Sequence, residues 1–174
     1  MLKPLSRHLI VVALASGCLA ACDANANRPS SIDLLVALPS AERRSAGDVD
    51  LSIYADVVSI GGSVREALVM QAPARSTWTF ALPRRAVLST SAALVSGPGV
   101  TLRFGISNGR TYQSLEQVEV GADWRDVILD LRDYSEWKFS LFHQPLDVTW
   151  RLTINADATP GGIVALERPT VATR

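Results

Sequence analysis

Four aspartates recur at three- and four-residue intervals in one short stretch: Asp123, Asp126, Asp130 and Asp133. Carboxylates at this density suit three chemistries. Two can act as acid and base on a glycosidic bond, a set of oxygens can hold calcium, or each can pair with an arginine. On a strand these offsets fall on both faces, so spacing alone does not make them converge. Asp48 and Asp50 share a face if the segment from Asp48 to Asp50 is extended. The aromatic residues offer a further chemistry, because indole and phenol rings combine an apolar face with a polar edge and so suit a sugar ring. Trp124 stands immediately before an apolar alternation, and Tyr112 and Tyr134 stand at expected turns. Trp78, Trp137 and Trp150 fall inside apolar alternations and are read as core.

Other chemistries lack their residues. The histidines are His8 and His143, and no nucleophile-elbow motif accompanies either. Structural zinc needs three or four His or Cys ligands, which the chain does not supply. No glycine-rich phosphate loop follows a strand and opens a helix. With 17 basic and 17 acidic residues, the formal charge is zero, which points away from a nucleic-acid partner. A non-enzymatic protein without a cofactor is expected.

The N-terminus carries a location signal. A cationic head, residues 1–8, precedes an apolar run from Leu9 to Ala21 that is too short for a permanent bilayer span. It ends in Leu19-Ala20-Ala21-Cys22, which resembles the bacterial lipobox. Ala15-Ser16-Gly17-Cys18 is a weaker match, lacking the leucine. The resemblance implies cleavage before Cys22 and acylation of its thiol. A plain secreted protein cut near Ala21, or an uncleaved anchor, is the alternative. Residues 1–21 are then a signal peptide and residues 22–31 a small, polar, lipid-attached tether. Cleavage removes Lys3 and Arg7 and leaves 15 basic against 17 acidic residues, a net charge of −2. The expected location is the bacterial cell envelope, membrane-anchored and facing the periplasm or the exterior. Asp23 gives a slight lean toward the inner membrane.

Residues 32–174 read as one domain of short strands. Candidate strands are Ile32–Leu38, a run containing Val49, Leu51 and Ile53, the alternation of Trp78, Phe80 and Leu82, and Ala86–Val95. The segment from Val64 to Gln71 fits a strand or a short helix. Val100, Leu102, Phe104 and Ile106 alternate with small or polar residues, and Asn108-Gly109 then marks a hairpin returning through Arg110–Val120. Val127, Leu129 and Leu131, then Trp137, Phe139 and Leu141, then Val148 to Ile154 and Ile163 to Val171 complete the set. Regularly spaced short strands without a helical period predict an all-β sandwich or barrel.

The order Trp124, Val127, Leu129, Asp130, Leu131, Tyr134 resembles a motif of the galactose-binding-like jelly-roll β-sandwich. That family occurs as an accessory domain in bacterial cell-surface and sulfatase-type proteins. The resemblance spans about residues 76 to 171. It implies an all-β jelly-roll sandwich of about eight to ten antiparallel strands and, since such domains often bind sugars, a glycan as ligand. Such domains frequently carry a structural calcium. The chain departs from the pattern at Ser135-Glu136, where a glycine is usual, and at Leu166, where an aromatic is common. The expected ligand residues are Trp124, Tyr134, Tyr112, Asp123 and Asp133, with Cys22 as the lipidation site. The expected partners are the membrane, through the lipid, and a glycan or an envelope protein. The alternative is a structural or protein-interaction lipoprotein with no small ligand. Labelling with a palmitate analogue is predicted to mark the full chain and to vanish in Cys22→Ser; label that persists assigns the lipid elsewhere.

Overall fold

The structure is a computed structural model and describes residues 28–135, 149–158 and 161–174. The expected signal peptide over residues 1–21, and Cys22, Trp137, Phe139, Leu141 and His143, lie outside them. Among the described residues eleven strands run in chain order: β1 (Ser31–Asp33), β2 (Glu42–Ser45), β3 (Ile53–Ile60), β4 (Ser63–Gln71), β5 (Ala74–Ala81), β6 (Ala86–Ser96), β7 (Val100–Ser107), β8 (Tyr112–Val120), β9 (Arg125–Asp130), β10 (Thr149–Asp157) and β11 (Ile163–Thr173). One sheet has the order β3-β4-β11-β6-β9, with β1 also paired to β11. The other has the order β2-β5-β10-β7-β8. Every pairing is antiparallel. From β5 onward the chain passes repeatedly from one sheet to the other. Among the described residues both sheets keep free edges, which a closed barrel lacks. This is the expected all-β jelly-roll sandwich.

The inward alternate residues of both sheets form one core. Trp78, Phe104, Leu88, Leu102, Leu152 and Leu68 are among its largest fully buried side chains. The inward row of β9, Val127 and Leu129, joins them, as does Leu131 just beyond it. Yet among the described residues β9 lies at a sheet edge, and the centre of that sheet is β11 between β4 and β6. Pro169 sits inside this central strand, where a proline normally cannot complete the ladder. A bulge accommodates it. Glu167 pairs with Ser91 and Thr170 with Ser89, so Arg168 and Pro169 together oppose Thr90. The carbonyl of Pro169 accepts the amide of Leu34 at 2.9 Å.

Local hydrogen bonding corrects three expectations drawn from alternation. The first strand ends at Asp33, not at Leu38. The Asp33 carboxylate accepts the amides of Leu35 (2.9 Å) and Val36 (3.3 Å), which turns the chain. A 3-10 turn, Leu38–Ser40, follows with Pro39 in its first turn. The run from Val49 is a single helical turn, α1 (Val49–Ser52), because Asp48 caps it by accepting the amide of Asp50 at 2.9 Å. Asp48 and Asp50 therefore do not share a strand face. Third, the loop at Asn108-Gly109 joins Ser107 to Tyr112 through residues 108–111 rather than through a two-residue turn. Only Gly109 has positive φ there, at 86°, and Asn108 Oδ1 instead accepts the amides of Arg110 and Thr111.

The segment from Val64 to Gln71 is a strand. A two-residue turn at Gly61 (φ 58°) and Gly62 (φ 79°) joins it to β3. Both turn positions need positive φ, as a type I′ hairpin turn requires.

Trp78 ties the N-terminal segment to the core: it is 1% exposed, and its indole N–H donates to the Leu34 carbonyl at 3.1 Å. Trp78→Ala should lower stability by about 3–5 kcal/mol in urea denaturation, from lost burial and the cavity left behind. Trp78→Phe should lose less but leave the Leu34 carbonyl unpaired, at a cost of about 1–3 kcal/mol.

Candidate functional site

The outward face of the five-stranded sheet is polar from edge to edge. Register places its residues in rows. One row reads Arg44, Arg75, Asn155, Arg103, Gln117 across β2, β5, β10, β7 and β8. The next reads Glu42, Thr77, Thr153, Gly105, Ser114, and a third Thr79, Arg151, Ser107, Tyr112. Strands lie about 5 Å apart and same-face residues about 7 Å apart, so the rows form a platform roughly 20 Å wide.

Hydrogen bonds organise this platform. Thr77 and Thr153 share one between their hydroxyls at 3.1 Å. Arg75 Nε donates to Asn155 Oδ1 at 2.6 Å, and the Asn155 amide nitrogen donates to the Arg103 carbonyl at 3.4 Å. Glu42 accepts from Arg44 and from Arg151, each at 2.5 Å. Hydrogen bonding and charge from Arg44 hold the Glu42 carboxyl below its ordinary range, with Arg151 adding to the effect. Arg103 Nε lies 3.3 Å from Asp157.

Tyr112 lies on this face. It is 55% exposed, yet its ring is laid over Gly105, so that a Cβ at Gly105 would overlap Oη, Cζ and Cε2 of the tyrosine. Tyr112 pairs with Ser107 and Gly105 with Ser114, so the ring reaches diagonally to the neighbouring strand. Glycine lets an aromatic ring lie against bare backbone, and the ring in turn shields that backbone. The result is an aromatic ring held against the sheet at Gly105 yet more than half exposed, with Arg103 and Arg151 at neighbouring register positions.

The other expected ligand residues lie elsewhere. Asp123 is exposed, and Trp124 is half-buried at the start of β9. The Arg65 guanidinium of β4 sits over the Trp124 ring, 4.9 Å from its centroid, and pairs with Glu167. The Trp124 indole N–H is buried without a hydrogen-bond partner among the described residues. Asp133 and Tyr134 lie on α2 (Arg132–Ser135), beyond the far end of β9. A strand of six residues spans roughly 20 Å, and β9 separates the two pairs by about that much. Tyr134 is not an exposed loop tyrosine. It packs edge-on against Trp150, with ring centroids 5.3 Å apart at 74°. Burial, then the charge of Asp133, raises its hydroxyl pKa. Tyr112 thus stands apart from the other four, and the arginines around it carried no sequence signal beyond alternation.

The aspartate series does not fit a calcium site. Asp126 accepts from Ser91 Oγ at 2.7 Å, and Asp130 is held by Arg132. Among the described residues, no three or more His, Cys, Asp or Glu side chains form a group that could hold a metal ion.

Comparison with known proteins adds to the fold. No family model matches the chain, and no curated protein sequence matches it. Solved structures do resemble it. The cleaved adhesin domain K1 of Lys-gingipain from Porphyromonas gingivalis W83 is 10% identical, with a TM-score of 0.54 over 78% of this chain and 91% of that one. TmCBM61, solved with β-1,4-galactotriose, is 11% identical, with a TM-score of 0.51 over 77% of this chain and 88% of that one. At such identities the likeness concerns the fold.

Hydrogen bonds from the Arg132 side chain and backbone depress Asp130 to a pKa of about 2. Whatever stability this pair contributes is present above the ordinary aspartate pKa and is lost as pH falls through about 2. Carboxyl NMR titration should place the Asp130 midpoint near 2 and show it rising toward the ordinary value in Arg132→Gln. An unchanged midpoint in the variant would assign the depression to another source.

Proposed function

We propose that the protein is a non-catalytic glycan-binding module that stacks a sugar ring on Tyr112 over the outward face of the five-stranded sheet. One observation carries this reading: the distal end of the Tyr112 ring occupies the space a side chain at Gly105 would fill, and Tyr112 stays 55% exposed on a face otherwise made of hydrogen-bonding side chains. A sugar presents apolar C–H faces and a rim of hydroxyls. An exposed ring bordered by the exposed arginines Arg103 and Arg151 answers both, while the buried Thr77, Thr153 and Asn155 beneath are bonded within the sheet. The jelly-roll neighbour TmCBM61, solved with a galactotriose, is consistent with this reading. Trp124 suits the role less well, since Arg65 already occupies one face of its ring.

With the lipobox-like Leu19-Ala20-Ala21-Cys22, the module would be held at the bacterial cell envelope by lipid on Cys22. Two or more acyl chains give a firm anchor, whereas one gives marginal binding. The tether would let the sheet face reach glycans near the membrane.

A second reading, a protein-interaction lipoprotein without a small ligand, draws on exposed apolar residues. Val36, Val57 and Val64 are 76%, 58% and 67% exposed. The first two line a shallow groove of about 320 Å³ with Leu35, Asp56 and Glu66.

A glycan array probed with the full chain should give binding that falls about ten-fold in Tyr112→Ala. Gly105→Ala should lower affinity similarly by lifting the ring off the sheet, with circular dichroism unchanged. Binding that survives both changes would remove Tyr112 from the site. An array with no binder, together with capture of one envelope protein lost on Val57→Asp, would favour the second reading.

A further inference from the structure

The charge pattern around Tyr112 deepens the glycan reading, on which the following rests. Four arginines, Arg44, Arg75, Arg103 and Arg151, point outward from one sheet face. Arg44 and Arg75 stand directly opposite each other on neighbouring strands. Like charges in that relation destabilise a sheet. Carboxylates relieve part of the repulsion. Glu42 is shared between Arg44 and Arg151, and Asp157 lies beside Arg103. Glu119 stands one row further on, opposite Thr101 and at the edge of the platform. Arg75 is different. Among the described residues its hydrogen-bond partner is a neutral amide, Asn155, which takes only the Nε proton. The two terminal nitrogens of Arg75 have no partner among the described residues, and the Asn155 contact tethers the guanidinium at Nε. A planar fork with both terminal nitrogens open is suited to bidentate capture of an oxyanion.

This cationic excess sits on a chain whose formal charge is zero. From strand spacing, Arg75 lies roughly 12 Å from Gly105, across two strands and one row. A ligand touching both the ring and this guanidinium therefore spans more than one sugar unit. We propose that the ligand is an anionic oligosaccharide: its carboxylate or sulfate seats on Arg75, with Arg103 and Arg151 beside the ring, while a sugar unit stacks on Tyr112.

Matched probes test this. The full chain is titrated with β-1,4-galactotriose, with the same trisaccharide oxidised to carboxylates at C6, and with its 6-sulfated form. The expected result is at least ten-fold tighter binding of one or both anionic forms at low salt, with the advantage shrinking as salt rises past 0.15 M. A preference for the carboxylated or the sulfated form identifies the anion. Arg75→Gln should erase the advantage, Arg103→Gln should reduce it, and Tyr112→Ala should weaken all bound probes alike. Equal affinity for neutral and charged forms, unchanged in Arg75→Gln, would overturn the anionic assignment and leave the glycan reading standing. Failure of all three probes, together with an empty glycan array, would sink both. Anionic binding indifferent to Arg75→Gln and Arg103→Gln would place the charge recognition on another face and overturn the proposal.

Discussion

Closure of two sheets over a single apolar layer is the constraint on which the rest of this molecule depends. Each strand alternates its side chains, so committing Trp78, Leu102, Phe104, Leu152 and Ile154 to the interior commits their neighbours to the outside. Slipping one strand by a single residue would bury Arg75, Arg103 or Arg151 and expose the core residues beside them. The polar platform is thus the necessary complement of the core. Its composition is free to vary, because packing does not dictate which polar residue stands there.

That freedom makes the chosen residues informative. A surface row of arginines in direct opposition is not what stability alone selects, and neither is a glycine in the middle of a β-strand. Both occur on the same face. Gly105 costs the strand a side chain and gains a close-lying ring. The Arg44–Arg75 opposition is relieved by Glu42 on one side only. The opposite sheet shows the contrast. Two of its outward pairs are mutually satisfied, Arg65 with Glu167 and Ser91 with Asp126.

The motif with Trp124, Val127, Leu129, Leu131 and Tyr134 shows how much of the fold was legible. Its inward positions are buried as alternation demands. The strand it builds is nevertheless an edge strand, since periodicity reports which face is buried and says nothing about which neighbours flank a strand. Short polar residues misled the reading elsewhere. Asp33 and Asp48 bond to amides two or three residues ahead, and these local contacts override a plausible alternation. The Asn108 side chain likewise widens an expected tight turn, and with that change Tyr112 comes to pair with Ser107 on the platform.

The sequence by itself determined the all-β class, the inward faces of the main strands and the break points at Gly61-Gly62 and Asn108-Gly109, because each follows from residues close in the chain. It marked Tyr112 and Tyr134 alike as tyrosines at turns, and of the two only Tyr112 is exposed. Tertiary structure alone decided that Tyr112 lies on Gly105 and that Arg44, Arg75, Arg103 and Arg151 share its face, while Trp124 and Tyr134 are taken up by Arg65 and Trp150. The physical reason is distance along the chain. Residues of β2, β5, β7, β8 and β10 become neighbours only through strand pairing, and pairing order is a property of the whole packed sandwich, not of any one strand's pattern.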